Sequence, residues 1–97
     1  MARAPMDAEP RFAANLRAAR NALRLTQSQV ARRMRDRGFG WREYTAATVE
    51  LDKRHLRLRE AEALAAIVCV PLDRMLTETP ERVAKIARQN AMGGVVR

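Results

Sequence analysis

The sequence predicts an all-α fold, and three observations support that prediction. Alanine, leucine and arginine are abundant, and all three are strong helix formers. Apolar residues recur at steps of four and three, as in Phe12, Leu16 and Ala19, which places them on one helical face. No segment alternates β-branched or aromatic residues with polar ones, as a half-buried strand would. The 97 residues suffice for one domain with a short segment at each end.

The first helix is expected from about Arg11 to Arg24, because its apolar stripe begins at Phe12 and continues to Leu23. Residues 1–10 contain two prolines and show no helical periodicity. We interpret residues 1–10 as a flexible N-terminal arm.

The second helix is expected from about Gln27 to Arg35. Thr26 precedes it and Gln29 follows three residues later, which is the spacing of a capping box. Two glycines then predict a turn over residues 36–40. The third helix is expected over about 42–51, beginning near Trp41 or Arg42, with Ala46, Val49 and Glu50 on its inner side.

Three more helices are expected. The fourth covers about 59–68 and the short fifth covers about 72–76, with Pro71 between them. Thr79 and Pro80 are typical of a helix N-terminus, and Gly93-Gly94 is expected to end a sixth helix that spans about 80–90.

The composition bounds the function. A net charge of +8 indicates a polyanionic partner, with nucleic acid favoured over an anionic membrane or a merely soluble surface. The single cysteine, Cys69, offers neither a disulfide framework nor a zinc site and is expected to pack as a small apolar residue. No signal-peptide pattern and no membrane-length apolar run is seen, so we expect a cytoplasmic protein. Catalytic sets, glycine-rich phosphate loops and metal-ligand clusters are not apparent, so we expect no enzyme and no cofactor.

Five short motifs occur in a regular order along the chain: Leu25–Ala31, Trp41, Val49-Glu50, Lys53–Leu58 and Val70–Asp73. Their order and spacing resemble the lambda repressor/Cro-like (Xre) family of helix-turn-helix proteins over about residues 12–76. The resemblance implies a five-helix DNA-binding domain over residues 11–77, followed by a C-terminal helix and tail over 78–97. That last helix either forms a dimer interface through Val83, Ile86 and Ala87 or folds back over helices 1 and 5.

The resemblance also assigns roles to individual residues. The positions that read bases in the major groove fall on Glu43, Tyr44, Thr45, Ala47 and Thr48. The positions that contact phosphates fall on Thr26, Gln27, Arg42, Lys53 and Arg54, with Arg57 in the same basic link. Arg20 and Glu50 match positions that form an ion pair between helix 1 and the end of helix 3. Trp41 is expected to seat helix 3 in the core, with base stacking as the alternative.

Three positions depart from the family pattern. Glu43 stands where the family often has glutamine; a glutamate accepts hydrogen bonds only, which would suit a cytosine amino group. Leu51-Asp52 replaces the usual Asn-Gly turn, and Arg59 replaces a helix-capping acid. These differences predict an altered base preference and a reshaped link. His55 is expected to be a solvated loop residue.

The function implied by the resemblance is sequence-specific binding of double-stranded DNA by a homodimeric transcriptional regulator, most simply a repressor. The alternative is a protein-interaction module, such as an antitoxin or a polymerase-binding partner, in which DNA binding is secondary. A small-molecule effector is not expected, because the chain offers no second domain to hold one.

Overall fold

The computed structural model describes residues 8–96 and the side chains of residues 8–93, and in these ranges it contains six helices and no strand. The helices are α1 (Ala8–Ala22), α2 (Gln27–Asp36), α3 (Thr45–Glu50), α4 (Leu58–Ile67), α5 (Leu72–Thr77) and α6 (Pro80–Val96). The all-α prediction is therefore confirmed. None of these helices combines the length and the hydrophobicity needed to cross a lipid bilayer.

Helix α1 lies at the centre of the packing. Its apolar stripe of Phe12, Leu16 and Ala19 is buried, and it contacts α3, α5 and α6. The buried Asn15 donates from Nδ2 to the carbonyl oxygens of Met75 and Glu78, at 2.9 Å each. Because these carbonyls lie at the end of α5, the amide joins α1 to the junction between α5 and α6.

Helix α2 begins as its capping pattern predicts. Thr26 Oγ1 accepts from the Gln29 backbone N–H at 3.0 Å, and Gln29 Oε1 accepts from the Thr26 N–H at 2.7 Å. These reciprocal bonds satisfy donors that a helix N-terminus otherwise leaves open. The helix then buries Val30, Ala31 and Met34 against α3 and α4.

The first four helices end with the same backbone device. In each, a residue with positive φ is followed by a backbone N–H that bonds to a carbonyl five residues earlier, which is the Schellman arrangement. The positive-φ residues are Arg24, Gly38, Asp52 and Cys69. Only one of them is glycine, the residue that adopts this conformation most readily.

Two ends of the chain differ from the sequence prediction. Helix α1 begins at Ala8, so residues 8–10 of the predicted arm are helical; residues 1–7 lie outside the described range. Pro10 is compatible with this start, because the first helical turn has no internal partner for its missing N–H. Helix α6 passes through Gly93-Gly94 to Val96, so the predicted stop was wrong. Glycine in a helix costs about 1 kcal/mol relative to alanine, which weakens a helix without ending it.

Helix α3 is shorter than the predicted 42–51. Its first residue is Thr45, and Arg42–Tyr44 form a turn before it. The Arg42 backbone N–H donates to Thr45 Oγ1 at 3.0 Å, so a donor at the start of this segment has a side-chain partner. The connection from α2 to α3 therefore covers residues 37–44, longer than the three or four residues common in helix-turn-helix motifs.

Helix α6 packs on α1 rather than leaving its apolar stripe free. Val83 and Ala87 are fully buried, and Ile86 is half-buried against the same core. Of the two expectations for the last helix, folding back over helix 1 is observed for the described residues. A dimer interface built on Val83 and Ala87 is thereby excluded for this conformation.

Candidate nucleic-acid interface

Helix α3 and the turn before it present one covered side and one open side. Ala46 and Val49 are buried in the core, whereas Tyr44 is 65% exposed. Arg42 and Glu43, beside Tyr44 in the turn, are also exposed. The segment is therefore fixed from within while its outward side chains remain accessible to a partner.

Four of the five predicted base-reading residues lie on this accessible segment. Glu43 and Tyr44 are exposed, and Ala47 and Thr48 are half-buried. Thr45 is the exception, because it is only 7% exposed and its hydroxyl accepts from the Arg42 N–H. We therefore correct the prediction for Thr45: its side chain shapes the turn and is not available to a base.

The Glu50 cluster, formed by Arg20, Gln27 and Glu50, holds the C-terminal end of α3. Arg20 donates to both carboxylate oxygens of Glu50, with Nη2 at 3.0 Å from Oε1, and Gln27 Nε2 donates to the same Oε1 at 3.1 Å. The side chains of Arg20 and Glu50 are 12% and 3% exposed. The ion pair that the resemblance implies therefore forms, and it links α1, α2 and α3.

The first turn of α2 contains two of the predicted phosphate ligands. Thr26 is exposed and uses its hydroxyl oxygen as the cap, while the half-buried Gln27 donates one amide N–H to Glu50. Each side chain thus has a structural role as well as a remaining donor. The helix N-terminus at this position favours an anion, because its dipole and free N–H groups point outward.

Trp41 seats the N-terminal side of the α3 segment. The residue is buried, its Nε1 donates to Glu60 Oε2 at 2.9 Å, and its carbonyl accepts from Arg35 Nη1 at 3.0 Å. An indole held in this way cannot stack on a base. The core position expected for Trp41 is therefore observed, although its N–H points to a buried carboxylate and not to the surface.

Glu60 accepts hydrogen bonds from Trp41, Arg54 and the Arg57 backbone N–H, and these groups form the Glu60 cluster. The sequence analysis did not predict a role for Glu60. Arg54 Nη2 lies 2.9 Å from Oε2, and the Arg57 N–H lies 3.0 Å from Oε1. Burial raises the pKa of Glu60, but the hydrogen bonds from Arg54, Trp41 and Arg57 and the charge of Arg54 together lower it from 4.5 to about 2. The carboxylate is thus ionised at neutral pH.

A signal for Glu60 was present in the sequence. The residue lies four positions before Leu64, on the apolar face of α4, where a charged side chain needs a buried partner. It also lies three residues after Arg57, where a glutamate can accept from the N-cap backbone.

Arg54 is first a structural residue. Its guanidinium donates to Glu60 and to the His55 carbonyl, and lies 5.6 Å from the centroid of the Trp41 ring. The side chain is nevertheless 36% exposed, and its Nε–H makes no hydrogen bond within the described residues. The prediction of a simple surface phosphate ligand is thus corrected to an arginine held by Glu60 with a remaining donor.

Arg42 and Lys53 complete the predicted phosphate set. Both are exposed, and neither forms an ion pair within residues 8–93. His55, also in the basic link, is exposed as expected and places Nδ1 3.1 Å from Glu9 Oε2 at the start of α1. Positive side chains thus lie at the start of the exposed turn and after the end of α3.

The part of the chain that the structure describes holds no cluster of three or more histidine, cysteine, aspartate or glutamate side chains suited to a metal ion. Comparison with protein-family models, curated proteins and solved structures finds no match to this chain. Its function therefore has to be inferred from its own residues and their geometry.

Proposed function

We propose that this protein is a sequence-specific DNA-binding regulator that places α3 and the turn before it in the major groove. The observation that carries the proposal is the two-sided placement of this segment. Ala46 and Val49 are buried and hold the segment against the core, while Glu43 and Tyr44 are exposed and Thr48 is half-buried. The major groove of B-DNA admits one helix with its outward side chains against base edges.

The charges around the segment support the same proposal. Arg42 precedes the exposed tyrosine, and Lys53 and Arg54 follow the end of α3. Arginine and lysine at these places suit phosphates on either side of the groove, and each contact releases counterions from DNA. The net charge of +8 adds sequence-independent attraction.

The Glu50 and Glu60 clusters support a reading role by fixing both ends of the segment. Base recognition needs side chains held by packing and hydrogen bonds, because a displaced donor or acceptor loses its partner. The bonds of Glu50 to Arg20 and of Glu60 to Trp41 supply such constraints. The longer connection between α2 and α3 is compatible with the role, since Trp41 and Arg35 tie it to the core.

We further propose that the protein acts as a homodimeric repressor in the cytoplasm. One recognition segment covers about half an operator, and dimers of this kind bind half-sites about 34 Å apart. Because α6 covers α1, the dimer contact requires another surface; exposed apolar side chains at Leu51 and Leu58 are available for it.

The test is a titration of labelled duplex from the DNA upstream of the protein's own gene, at two salt concentrations, beside a scrambled duplex. We expect tighter binding to the upstream duplex and a steep loss of affinity with salt. Equal affinity for the two duplexes would reduce the proposal to nonspecific attachment.

Variants of the interface test the same proposal. Thr48→Ala should change sequence preference more than affinity, and Arg42→Gln should lower the affinity for all duplexes alike. Arg17→Gln, an exposed change on α1, is the matched control.

A protein-interaction module is the second candidate. An open apolar hollow is lined by Phe12, Leu56, Leu58 and Leu76, and the Leu58 side chain is largely exposed. A partner bound there would contact mainly apolar surface, so its affinity would depend little on salt. Binding to a protein partner that survives Arg42→Gln and is lost in Leu58→Ser would favour this role over DNA binding.

A further inference from the structure

We propose a second phosphate-binding surface, the arginine groove, which takes backbone phosphates of DNA that flank the base pairs read by α3. The arginine groove is lined by Arg37, Arg54, Arg57 and Arg59 together with the loop Gly38–Trp41. This inference depends on the proposed DNA-binding function and extends it, because Arg37 and Arg59 lie outside the phosphate set drawn from the family resemblance.

The charge of the groove is the first argument. Glu60 is the one acidic residue among its lining side chains, and it is bound to Arg54. Arg37, Arg57 and Arg59 are exposed, and their guanidinium groups donate to no carboxylate within the described residues. Three like charges around one hollow repel one another, and a bound anion relieves that repulsion.

The shape and chemistry of the groove are the second argument. Its volume is about 370 Å³, which accommodates a phosphate with water around it. Guanidinium groups form paired, charge-assisted hydrogen bonds to phosphate oxygens. Space is free beside Gly38 and Gly40, since a Cβ at either position would meet no atom within 4 Å.

The position of the groove is the third argument, and it identifies the source of the phosphate. Trp41 lines the groove and directly precedes Arg42, and Arg54 lines it and directly follows Lys53. The groove therefore adjoins the proposed interface at both ends of the α3 segment. A DNA backbone leaving the major groove supplies phosphates there, with no separate ligand required.

The test compares two double variants in the same duplex titration. The first, Arg37→Gln with Arg59→Gln, removes two groove charges; the second, Arg17→Gln with Arg88→Gln, removes two exposed charges from α1 and α6. We expect the slope of log affinity against log salt to fall by about two units in the first variant, on upstream and scrambled duplex alike. The second variant should keep the slope of the unsubstituted protein. Thermal unfolding of both variants checks that they fold.

Two results overturn the inference in distinguishable ways. If the unsubstituted protein binds duplex and the two variants have equal slopes, the groove makes no contact and the proposed function stands. If the unsubstituted protein binds no duplex, the proposed function fails and the groove assignment fails with it.

A fluorescence measurement separates the two possible sources of phosphate, which are DNA and small phosphorylated molecules. Trp41 is the single tryptophan and lines the groove, so its fluorescence reports on an anion bound there. We expect duplex to change the emission, and inorganic pyrophosphate at matched ionic strength to leave it unchanged up to millimolar concentration. A saturable change with micromolar pyrophosphate that Arg37→Gln with Arg59→Gln abolishes would assign the groove to small phosphorylated molecules and overturn the DNA assignment.

Discussion

Two glutamates bind arginines beside α3, one at each end of the segment that the helix occupies. Glu50 lies at the C-terminal end and binds Arg20 and Gln27, which are side chains of α1 and α2. Glu60 lies in α4 and binds Arg54 and the indole of Trp41. Each carboxylate is almost fully covered, so each depends on its partners for solvation by hydrogen bonds.

The two clusters differ in what remains when the glutamate is removed. Arg20 also donates to the Leu25 carbonyl at 2.9 Å, so it would keep a partner without Glu50. Trp41 Nε1 has Glu60 as its hydrogen-bond partner within the described residues and would become a buried, unpaired donor. The N-terminal side of the α3 segment therefore depends more on its glutamate, Glu60, than the C-terminal end depends on Glu50.

The largest expected effect comes from Glu60→Ala. The change leaves the Trp41 N–H and the Arg57 N–H without an acceptor and Arg54 with only the His55 carbonyl, so we expect a loss of about 4 kcal/mol in the free energy of unfolding. Urea denaturation at neutral pH measures it. Glu62→Ala, an exposed site on the same helix, is the control and should change stability by less than about 0.5 kcal/mol. Equal losses in the two variants would contradict the stabilising role assigned to the hydrogen bonds of Glu60.

The second effect is a pH dependence. Because the pKa of folded Glu60 is about 2 and its ordinary value is 4.5, its stabilisation is present above pH 4.5 and is lost as the pH falls towards 2. The full contribution is on the order of 3 kcal/mol. The free energy of unfolding, measured by urea denaturation at several pH values from 6 to 2, should therefore fall more steeply for the unsubstituted protein than for Glu60→Gln. An equal pH dependence of the free energy of unfolding in the two proteins would contradict the lowered pKa of Glu60.

The third effect is that of Glu50→Ala, for which we expect a loss of about 2 kcal/mol. Arg20 keeps its bond to the Leu25 carbonyl and part of its exposure to water, so the stranded charge costs less than full burial would. Urea denaturation measures the loss in the free energy of unfolding. Glu43→Ala, which changes an exposed glutamate in the turn, is the control. A loss as large as that of Glu60→Ala would break the asymmetry between the two clusters.

The smallest effect tests the loop that leads to Trp41. Gly38 has φ of +95°, so Gly38→Ala forces a side chain into left-handed backbone and should cost about 1 kcal/mol. Gly40 is the matched control, because it has open space and no such backbone angle. Gly40→Ala should be neutral or slightly stabilising, through the reduced entropy of the unfolded chain. Thermal unfolding of the two variants checks the sign; a more stable Gly38→Ala would contradict the strained turn.

Local patterns in the sequence were enough for much of the fold. The capping box at Thr26, the apolar stripes and the proline before α5 predicted the bounds of α2, α4 and α5 to within a residue. The ion pair of Arg20 with Glu50 was accessible only through the family resemblance, because the two residues are thirty positions apart.

The failures have different causes. Helix α3 begins at Thr45 because residues 42–44 form a turn, and the apolar pattern does not distinguish such a turn from the first turn of a helix. Glu60 was missed because its indole partner, Trp41, lies nineteen residues earlier and no periodicity links them. Gly93-Gly94 did not end α6, since glycine weakens a helix without breaking its hydrogen bonds.

The burial of Val83 and Ala87 against α1 has a consequence for where this domain ends. A chain cut after Thr77 would keep helices α1 to α5, yet it would expose the α1 surface that α6 covers. We therefore expect such a chain to be less stable than one that keeps the sixth helix. Fusions and shortened versions should retain it in full.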